Sequence, residues 1–410
     1  MRILFVHQNF PGQFKHLAPA LSADPGNQVL AMTMRKDSPP EWQGVRLVQY
    51  RGSRNSTTGI HPWLVNFESQ IIRAESAFHT ALQLRESGFI PDVIIAHPAW
   101  GESLFLKNVW PDAKLGIYCE FFLNTPGADD FDPEFLETKS SDACRLKILN
   151  LNNSMHFDFA DAGISPTHWQ ASVFPESFRN KITVIHDGID TEILMPNPAV
   201  KLTLNENLHL TPHDEIITFV NRNLEPYRGY HIFMRALPEI LRRRPKARVL
   251  IIGGDDVSYG ARPPDGQKWR DIFLDEVKDQ LDMSRVNFLG KLPYAHLISV
   301  LQLSTVHIYL TYPFVLSWSL LEAMSIGCAI VASDTPPLQG IINHNDTGKL
   351  INFFDVAGLA QQVCSLLEQP KLRTRLGKNA RAFAQTNYDL KTLCLPRQIK
   401  WVQALAKQQS

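Results

Sequence analysis

The stretch YLTYPFVLSWSLLEAMSIGCAIVASD, residues 309–334, contains the end of one apolar run, a loop, a helical pattern and a second apolar run. The first strand is expected to end near Leu310, and a helix opens near Ser317 to Ser319. A strand, helix and strand in this order form the repeating unit of a parallel sheet. The stretch therefore predicts an open α/β sheet with a helix start at its edge. Free backbone N–H groups and the positive end of the helix dipole favour a phosphate there.

Short β-rich runs alternate with helical patterns over the rest of the chain, in two series. This alternation predicts βαβ units, and hence two doubly wound α/β domains with parallel sheets. Residues 187–212 lose the rhythm and contain Pro196, Pro198 and Pro212, which is typical of a connection. We therefore predict the following division: an N-terminal domain at 1–190, a linker at 191–212, a second domain at 213–390 and a C-terminal helix at 391–410.

Individual elements follow from the same periodicity. The predicted strands are Ile3–Val6, Val29–Met32, Val45–Val48, Val93–Ala96, Leu115–Tyr118, Ile182–Ile185, Ile216–Val220, Val249–Ile252, Val286–Leu289, Val306–Leu310 and Ala329–Ala332. The predicted helices are Asn66–Arg85, Thr167–Phe174, His231–Arg243, Tyr294–Leu303 and Ser319–Ile326. Open α/β sheets bind ligands outside the carboxyl ends of their strands, so we expect the functional residues on the loops after these strands, in a cleft between the domains.

The composition is typical of a soluble globular protein, since 44% of the 410 residues are hydrophobic and 20% are charged. Lys plus Arg and Asp plus Glu both total 41, which argues against a dedicated nucleic-acid-binding protein. Five cysteines without C-x-x-C spacing indicate neither a zinc site nor a disulfide framework, and fit a reducing, cytoplasmic compartment. No apolar run reaches the roughly 18 residues of a membrane span. Membrane contact is expected only at the periphery, at the inner membrane face.

Glu322 is the first candidate for a functional side chain, because it lies about one turn inside the helix that opens near Ser317. Its carboxylate can accept hydrogen bonds from the ribose hydroxyls of a nucleotide held at the helix start. The order Ser319-Leu320-Leu321-Glu322 also matches a capping box, in which Glu322 only satisfies a helix end. Spacing alone favours the cap.

The run from Glu322 to Ser333 resembles the nucleotide-sugar motif of glycosyltransferase family 4, E-A-M-x-x-G-x-x-(V/I)-(V/I)-A-S. The resemblance implies that Glu322 is the second Glu of the family's Glu-x7-Glu pair and binds the donor ribose. The first Glu of that pair is replaced by Phe314, whose ring offers the donor sugar only stacking or apolar contact, so the donor sugar stays open. The donor contacts implied at the helix start are Ser317, Trp318 and Ser319.

A second match runs from Val220 to Phe233, VNRNLEPYRGYHIF, directly after the first strand of the second series. It resembles the family's strand followed by G-R-x-x-x-x-K-G, with Arg222 in the arginine position and Arg228 in place of the lysine. The resemblance implies two cations that stabilise the charge developing on a diphosphate leaving group. Taken alone, the pair would be interpreted as two solvated loop arginines.

Four further segments match the family in order and spacing: ADAGISP at 160–166, VIHDGIDTE at 184–192, VLIIGGD at 249–255 and VNFLGKLPY at 286–294. The last two fall where the family has a glycine turn and a loop that lines the base pocket, which implies donor contacts at Gly253 and Leu289. The resemblance as a whole implies the GT-B fold, in which two Rossmann-like domains face each other across a cleft. The C-terminal helix is then expected to pack back on the N-terminal domain.

Three loops of the N-terminal domain are candidates for the acceptor side. Gly12 lets the backbone after the first strand pass close to the donor diphosphate, although a Pro-Gly turn is commoner as a plain connection. Glu120 falls where the family often has a histidine near the reacting sugar; it either orients or deprotonates the acceptor hydroxyl, or is a structural carboxylate. His97 is a second catalytic candidate, with a structural role favoured.

A D-x-D triplet and a basic run are two further features, and for both we favour a role outside the reaction. Asp130-Phe131-Asp132 has the D-x-D form of a metal motif but lies in a Gly- and Pro-containing loop, and GT-B enzymes generally need no metal, so we expect neither a metal nor a cofactor. A dense basic run predicts a solvated helix end, with an anionic membrane surface or an acidic glycan as the alternative partner. This run consists of Arg242, Arg243, Arg244, Lys246 and Arg248.

The resemblance implies a retaining hexosyltransferase that moves a sugar from a nucleotide diphosphate sugar to a hydroxyl acceptor, such as a glycan or a lipid-linked acceptor. Bacterial glycoconjugate or polysaccharide synthesis is the expected setting. The alternatives are a nucleotide-sugar epimerase on the same fold and a non-catalytic nucleotide or sugar binder. A nicotinamide dehydrogenase is disfavoured, because no G-x-G-x-x-G follows the first strand.

Overall fold

The computed structural model of the protein describes residues 1–124, 127, 131–135, 142–205 and 208–408. The chain divides into two compact units. Unit 1 is drawn from Met1–Thr125, Thr138–Gly188 and Leu390–Ser410, and unit 2 from Pro126–Glu137 and Ile189–Asp389. Unit 2 therefore includes a short segment from the first half of the chain, and unit 1 includes the C-terminus.

The described part of unit 1 contains eight strands: β1 (Arg2–Val6), β2 (Gln28–Thr33), β3 (Glu41–Trp42), β4 (Val45–Gln49), β5 (Val93–Ala96), β6 (Lys114–Tyr118), β7 (Ala162–Ser165) and β8 (Ile182–Val184). They form one sheet in the order β3-β4-β2-β1-β5-β6-β7-β8. The short edge pair β3–β4 is antiparallel, whereas β1 runs parallel to β2 and to β5. Strands β1, β5 and β6 are neighbours at the centre, so the loops after them start at the same edge.

Both faces of this sheet are buried, as the alternation of side chains along β1 shows. Leu4 and Val6 belong to one apolar cluster, and Ile3 and Phe5 belong to another on the opposite face. The helices of unit 1 are α1 (Leu17–Ser22), α2 (Val65–Glu86), α3 (Leu106–Val109), α4 (Asp142–Leu149), α5 (Leu151–Phe159), α6 (His168–Ser172), α7 (Glu176–Arg179) and the C-terminal α14 (Leu395–Ala406).

Helix α14 packs directly on the sheet of unit 1. Trp401 and Leu405 are buried in the cluster that contains Ile3 and Phe5. A Cβ atom on Gly116 of β6 would lie 2.6 Å from the Trp401 ring, so only glycine allows the helix this close. The last helix of the chain is thus part of the core of unit 1.

The described part of unit 2 contains a short antiparallel pair, β9 (Leu202–Asn205) with β10 (Leu208–Leu210), and a six-stranded parallel sheet. The sheet has the order β13-β12-β11-β14-β15-β16. Its central strand β11 supplies Ile217 and Phe219 to one apolar cluster and Ile216 and Val220 to the other. Its strands are β11 (Ile216–Asn223), β12 (Arg248–Gly254), β13 (Val286–Gly290), β14 (Val306–Tyr309), β15 (Ile330–Ser333) and β16 (Lys349–Ile351).

The helices of unit 2 cover both faces of that sheet. They are α8 (Tyr230–Arg243), α9 (Trp269–Asp275), α10 (Tyr294–Leu303), α11 (Trp318–Ile326), α12 (Val356–Glu368) and α13 (Pro370–Tyr388). None of the helices among the described residues combines the length and the apolar character needed to cross a membrane.

Every predicted strand is present, with small shifts at the ends, and the α/β class with two parallel sheets is confirmed. The sequence interpretation missed β7, since Ala162 and Gly163 have a low preference for strands. It also missed β16 at the edge of the second sheet. The segment predicted as an irregular linker contains the β9–β10 pair and lies in unit 2.

Candidate functional site

Arg228 ends a single 3-10 turn, Pro226–Arg228, on the loop between β11 and α8. The turn closes onto Gly229, which has a φ of 70° and caps the start of α8. A Cβ atom at Gly229 would lie 2.3 Å from the side chain of Leu310, so glycine lets this loop lie directly against the end of the next strand. The loop thereby holds Arg228 beside the segment that follows β14.

Arg228 is 5% exposed, and its guanidinium donates three hydrogen bonds to the last residue of β14 and the segment after it. It donates to the Thr311 hydroxyl at 2.6 Å, the Tyr309 hydroxyl at 3.3 Å and the Val315 carbonyl at 3.1 Å. An arginine has five N–H donors, so these bonds use three and leave two. The alternative interpretation, a solvated loop arginine, is wrong for Arg228, because the charge is buried and fixed in one geometry.

Two aromatic rings lie against the same guanidinium. Its central carbon is 5.4 Å from the Tyr259 ring centre and 5.5 Å from that of Phe314. Cations at this distance are attracted by the face of an aromatic ring. Phe314, which stands where the family motif has a Glu, thus contacts Arg228, and a carboxylate there would instead bring a negative charge to this cation.

The start of α11 meets Arg228 at the hydroxyl of Tyr309. The Ser317 N–H donates to this hydroxyl at 3.0 Å, and the Ser317 side chain accepts the N–H of Ser319. The expectation of free amides at this helix start is therefore wrong for these two groups, which have internal acceptors. The dipole of the nine-residue helix still directs its positive end at the region that Arg228 occupies.

Glu322 is buried on the second turn of α11 and is 6% exposed. It accepts a hydrogen bond from the Tyr294 hydroxyl at 2.8 Å. The helix begins at Trp318 with Ser317 as its N-cap, so Glu322 lies beyond the third helical position that a capping box uses. The capping-box interpretation is wrong, and Tyr294 instead fixes the direction of this carboxylate.

Arg222 lies near the end of β11 with an exposed side chain, unlike Arg228. The motif as written has four residues between its two cations and this chain has five, which the 3-10 turn before Arg228 accommodates. Both arginines act on Glu225, which lies between them in sequence. Burial raises the pKa of Glu225 to about 7, while the N–H groups of Tyr259 and Ser258 and the charges of the two arginines oppose this rise.

Gly253 and Leu289, the two implied contacts to the donor base, serve the packing of unit 2. A Cβ atom on Gly253 would lie 2.8 Å from the Leu224 side chain and 3.1 Å from the carbonyl oxygen of Asn221, so this glycine makes room for the loop that carries Arg222. Leu289 is half-buried on β13 against the apolar cluster that includes Val220.

The three central strands of unit 1 end in a second polar cluster. His7 follows β1, His97 follows β5 and Glu120 lies two residues after β6. The His97 Nε2 atom is 3.3 Å from Glu120 Oε2, and the Gln13 side chain donates to Glu120 Oε1 at 2.9 Å. The Gln13 amide oxygen in turn contacts His7 Nε2 at 2.9 Å. The side chains of His97 and Gln13 thus both contact one carboxylate, and of these two the sequence identified only His97.

The acid–base state of this cluster follows from its partners. Burial pulls the pKa of Glu120 upward, but the hydrogen bonds from His97 and Gln13 and the electrostatic effect of His97 outweigh it and hold this pKa below its ordinary value. Burial, with the neighbouring His97, lowers the pKa of His7 to about 3. Near neutral pH the cluster therefore has an ionised Glu120 and a neutral His7.

His97 and Gly12 both support this arrangement. His97 is 1% exposed, stacks on the Tyr118 ring at 5.3 Å and accepts the Ala99 N–H on Nδ1, so its position is fixed. A Cβ atom on Gly12 would lie 2.2 Å from His7 Nε2, so the close approach predicted for a ligand is made by the His7 ring.

Residues 131–135, which hold the last two residues of the D-x-D triplet, belong to unit 2, and Asp130 lies outside the described residues. Asp132, Glu134 and His231 bring possible metal-ligand atoms within 4.8 Å of one another. Asp132 accepts from the Tyr312 hydroxyl at 2.6 Å, and Glu134 is paired with Arg235 at 2.6 Å. Both carboxylates already accept hydrogen bonds from side chains of unit 2. We therefore interpret the cluster as a structural contact that holds this segment in place.

The predicted basic run is largely paired within unit 2. Arg242 bonds Glu239 on the same helix, and Arg244 bonds Glu215. Arg248 donates to the carbonyl of Ser284. These pairs favour the solvated helix end over an anionic surface as the role of this run.

Both halves of the chain match family models of glycosyltransferases. Residues 25–194 match a family model described as the glycosyl transferase family 4 group, and residues 203–383 match one described as glycosyl transferases group 1. D-inositol 3-phosphate glycosyltransferase from Nocardia farcinica is 29% identical over 231 residues, 55% of this chain and 49% of that protein. The enzyme of the same name from Corynebacterium efficiens is 26% identical over 49% of this chain and 46% of its own length. The chain thus spans about half the length of these curated relatives.

Solved structures resemble the whole chain. Sucrose-phosphate synthase from Thermosynechococcus elongatus has a TM-score of 0.74 at 17% identity, and Anabaena HepE, solved with UDP and glucose, has 0.71 at 17%. Each comparison covers 100% of both chains. At this identity the likeness shows the fold, which is the GT-B fold. Because one family model covers most of unit 1 and the other most of unit 2, this protein belongs to the glycosyltransferases of the family 4 group.

Proposed function

We propose that this protein is a retaining glycosyltransferase that moves a hexose from a nucleotide diphosphate sugar to a hydroxyl acceptor. The observation that carries the proposal is the buried cation Arg228, held beside the start of α11 with Glu322 one turn further along the same helix. A nucleotide diphosphate sugar needs a cation for its diphosphate and an acceptor of hydrogen bonds for its ribose, and these residues supply both from adjacent positions.

The donor diphosphate would occupy the two N–H donors that Arg228 has left, with the exposed Arg222 as a second cation. Negative charge grows on this group as the sugar departs, so a fixed cation in a buried setting stabilises the transition state more than the bound donor. No proton transfer at the leaving group is required. A side-chain nucleophile is not needed either if the acceptor attacks on the face of the departing diphosphate, as retention implies for this family.

The acceptor hydroxyl would bind to Glu120 of unit 1. A general base works best with a pKa near the working pH, whereas the pKa of Glu120 is held below its ordinary value. This favours orientation of the hydroxyl over removal of its proton. The two curated relatives named above are D-inositol 3-phosphate glycosyltransferases, so a polyol is the class of acceptor to test first. A glycan and a lipid-linked acceptor are the alternatives, and we expect no metal or cofactor. Peripheral contact at the inner membrane face belongs to the lipid-linked alternative.

The change Glu120→Gln tests the orienting role. We expect kcat/KM for the acceptor to fall roughly tenfold, which corresponds to the loss of one charge-assisted hydrogen bond. The fall should be the same at every pH above the ordinary range of a carboxyl pKa, because Glu120 is ionised throughout that range. Initial rates at saturating donor, measured from pH 6 to 8.5, provide the check.

Gln13→Leu disturbs this cluster, because it removes one of the two partners of Glu120. We expect Gln13→Leu to raise the acceptor KM with a smaller effect on kcat. A loss in Glu120→Gln that disappears at high pH would instead identify Glu120 as a base.

The activity itself is tested by incubating the protein with UDP-glucose or GDP-mannose and a set of polyol and glycan acceptors, with product separation by chromatography. Transfer that depends on the acceptor supports the proposal. Conversion of the donor without acceptor would indicate an epimerase, and nucleotide-dependent thermal stabilisation without any conversion would indicate a binding protein.

A further inference from the structure

Glu225 is a buried carboxyl group for which the proposed mechanism has no role. It lies on the loop between Arg222 and Arg228 and is 1% exposed. Its Oε2 atom accepts the N–H groups of Ser258 at 3.1 Å and Tyr259 at 3.0 Å. Its Oε1 atom is buried and has no hydrogen-bond partner among the described residues. The two oxygens of one carboxyl group are thus in opposite situations.

The unpartnered oxygen decides which form of Glu225 suits the site. A buried carboxylate oxygen without a donor carries charge that nothing solvates, which is costly, whereas a proton on that oxygen removes the charge. The bonds from Ser258 and Tyr259 persist in both forms, because they go to the other oxygen. Burial raises the pKa of Glu225 to about 7, so the two forms are of similar free energy near neutral pH.

The positive charges that act on Glu225 are those that a bound diphosphate would neutralise. Arg228 and Arg222 on its own loop favour the carboxylate. The segment packed against it, after β12, brings the backbone N–H groups of Ser258 and Tyr259 and the Tyr259 ring, which lies against Arg228. The same segment and the strand end before it carry two further carboxylates that are already paired: Asp255 with Lys268 and Arg270, and Asp256 with Lys291.

We propose that Glu225 is a positioning residue that takes up a proton from solvent when the diphosphate of a nucleotide sugar binds at Arg228. The inference rests on the proposed donor site. A bound diphosphate neutralises the field of the two arginines, which is what stabilises the Glu225 carboxylate, so the proton equilibrium moves toward the acid. The neutral acid no longer competes with the diphosphate for the charge of Arg228. It still accepts the N–H of Tyr259, whose ring lies against the guanidinium.

The sign of the pH dependence follows from this exchange. Below pH 7 Glu225 is already protonated, and the donor binds without an electrostatic cost. As the pH rises through 7 an increasing share of the protein must gain a proton on binding, so affinity falls, by up to about tenfold per pH unit. The doubly esterified diphosphate of a nucleotide sugar does not titrate in this range, so the ligand does not contribute.

Isothermal titration calorimetry of the full chain with UDP-glucose and GDP-mannose, in buffers of different ionisation enthalpy, measures the protons taken up. At pH 7.5 we expect an uptake of roughly half a proton per donor bound, and an affinity that falls between pH 7 and 8.5. The isosteric change Glu225→Gln should abolish the uptake and make the affinity independent of pH. The matched control is Glu215→Gln, at the opposite end of β11, which should keep the uptake of the wild type.

The outcomes separate the two proposals. Donor binding without proton uptake by the wild type, or with uptake that persists in Glu225→Gln, overturns the role of Glu225 and leaves the donor site in place. Absence of binding for every nucleotide sugar tested, at any pH, overturns the donor site and this inference with it. A Glu225→Gln protein that does not fold leaves the proton uptake of the wild type as the deciding measurement.

Discussion

The change Arg228→Ala should lower kcat by roughly a thousandfold, the loss expected when a preorganised charge is removed from a developing anion. Arg228→Lys should recover most of this loss, to within roughly tenfold of the wild type, because a lysine keeps the charge and the family motif has a lysine at this position. The remaining deficit arises because lysine lacks the planar guanidinium, which lies against the rings of Tyr259 and Phe314. Steady-state rates with saturating donor and acceptor give both values.

Both Arg228 variants also lose internal contacts, so stability must be separated from catalysis. Removing the three hydrogen bonds to the segment after β14 is expected to lower the free energy of unfolding by about 1–3 kcal/mol. Arg381→Ala is the matched control, because Arg381 also donates to three oxygens in unit 2, the carbonyls of Leu194, Ser325 and Thr191. It should lower the melting temperature to a similar extent with little change in kcat. Equal losses of kcat in Arg228→Ala and Arg381→Ala would show that Arg228 is structural.

The positions of the candidate residues could be predicted from sequence because they depend on local rules. Arg228, Glu322 and Glu120 each follow a strand of a parallel sheet, and the ends of such strands share one edge. The apolar runs that define those strands are long and clear, and the motif around Glu322 fixes the helix. Position along the chain was therefore enough to locate the polar edge of each sheet.

The partners of these residues could not be predicted, because they come from distant segments. Tyr294 is on a different helix from Glu322, and Gln13 reaches Glu120 across more than a hundred residues. Nothing in the sequence near Glu225 indicates that one of its oxygens lacks a donor, since that depends on how the loops pack. The segment with Asp132 is a similar case, because the contacts that make it part of unit 2 come from Tyr312 and His231, which lie far along the chain.

The second large effect is expected at Glu322. Glu322→Ala should weaken nucleotide binding roughly a hundredfold, because two hydrogen bonds from ribose hydroxyls to a buried carboxylate are lost, at about 1.5 kcal/mol each. Glu322→Gln keeps one acceptor oxygen, so it should cost only roughly tenfold. Direct titration of each protein with UDP and GDP measures these changes.

The hydroxyl groups of the ligand show whether Glu322 acts on the ribose. If it does, 2′-deoxy and 3′-deoxy nucleotides should bind the wild type more weakly but bind Glu322→Ala as well as the parent nucleotide does, since the partner of the missing hydroxyl is already absent. Tyr294→Phe removes the group that orients the carboxylate and should give an intermediate loss with the parent nucleotide. Losses that simply add between the protein change and the missing hydroxyls would place Glu322 away from the ribose, because groups that do not touch contribute independently.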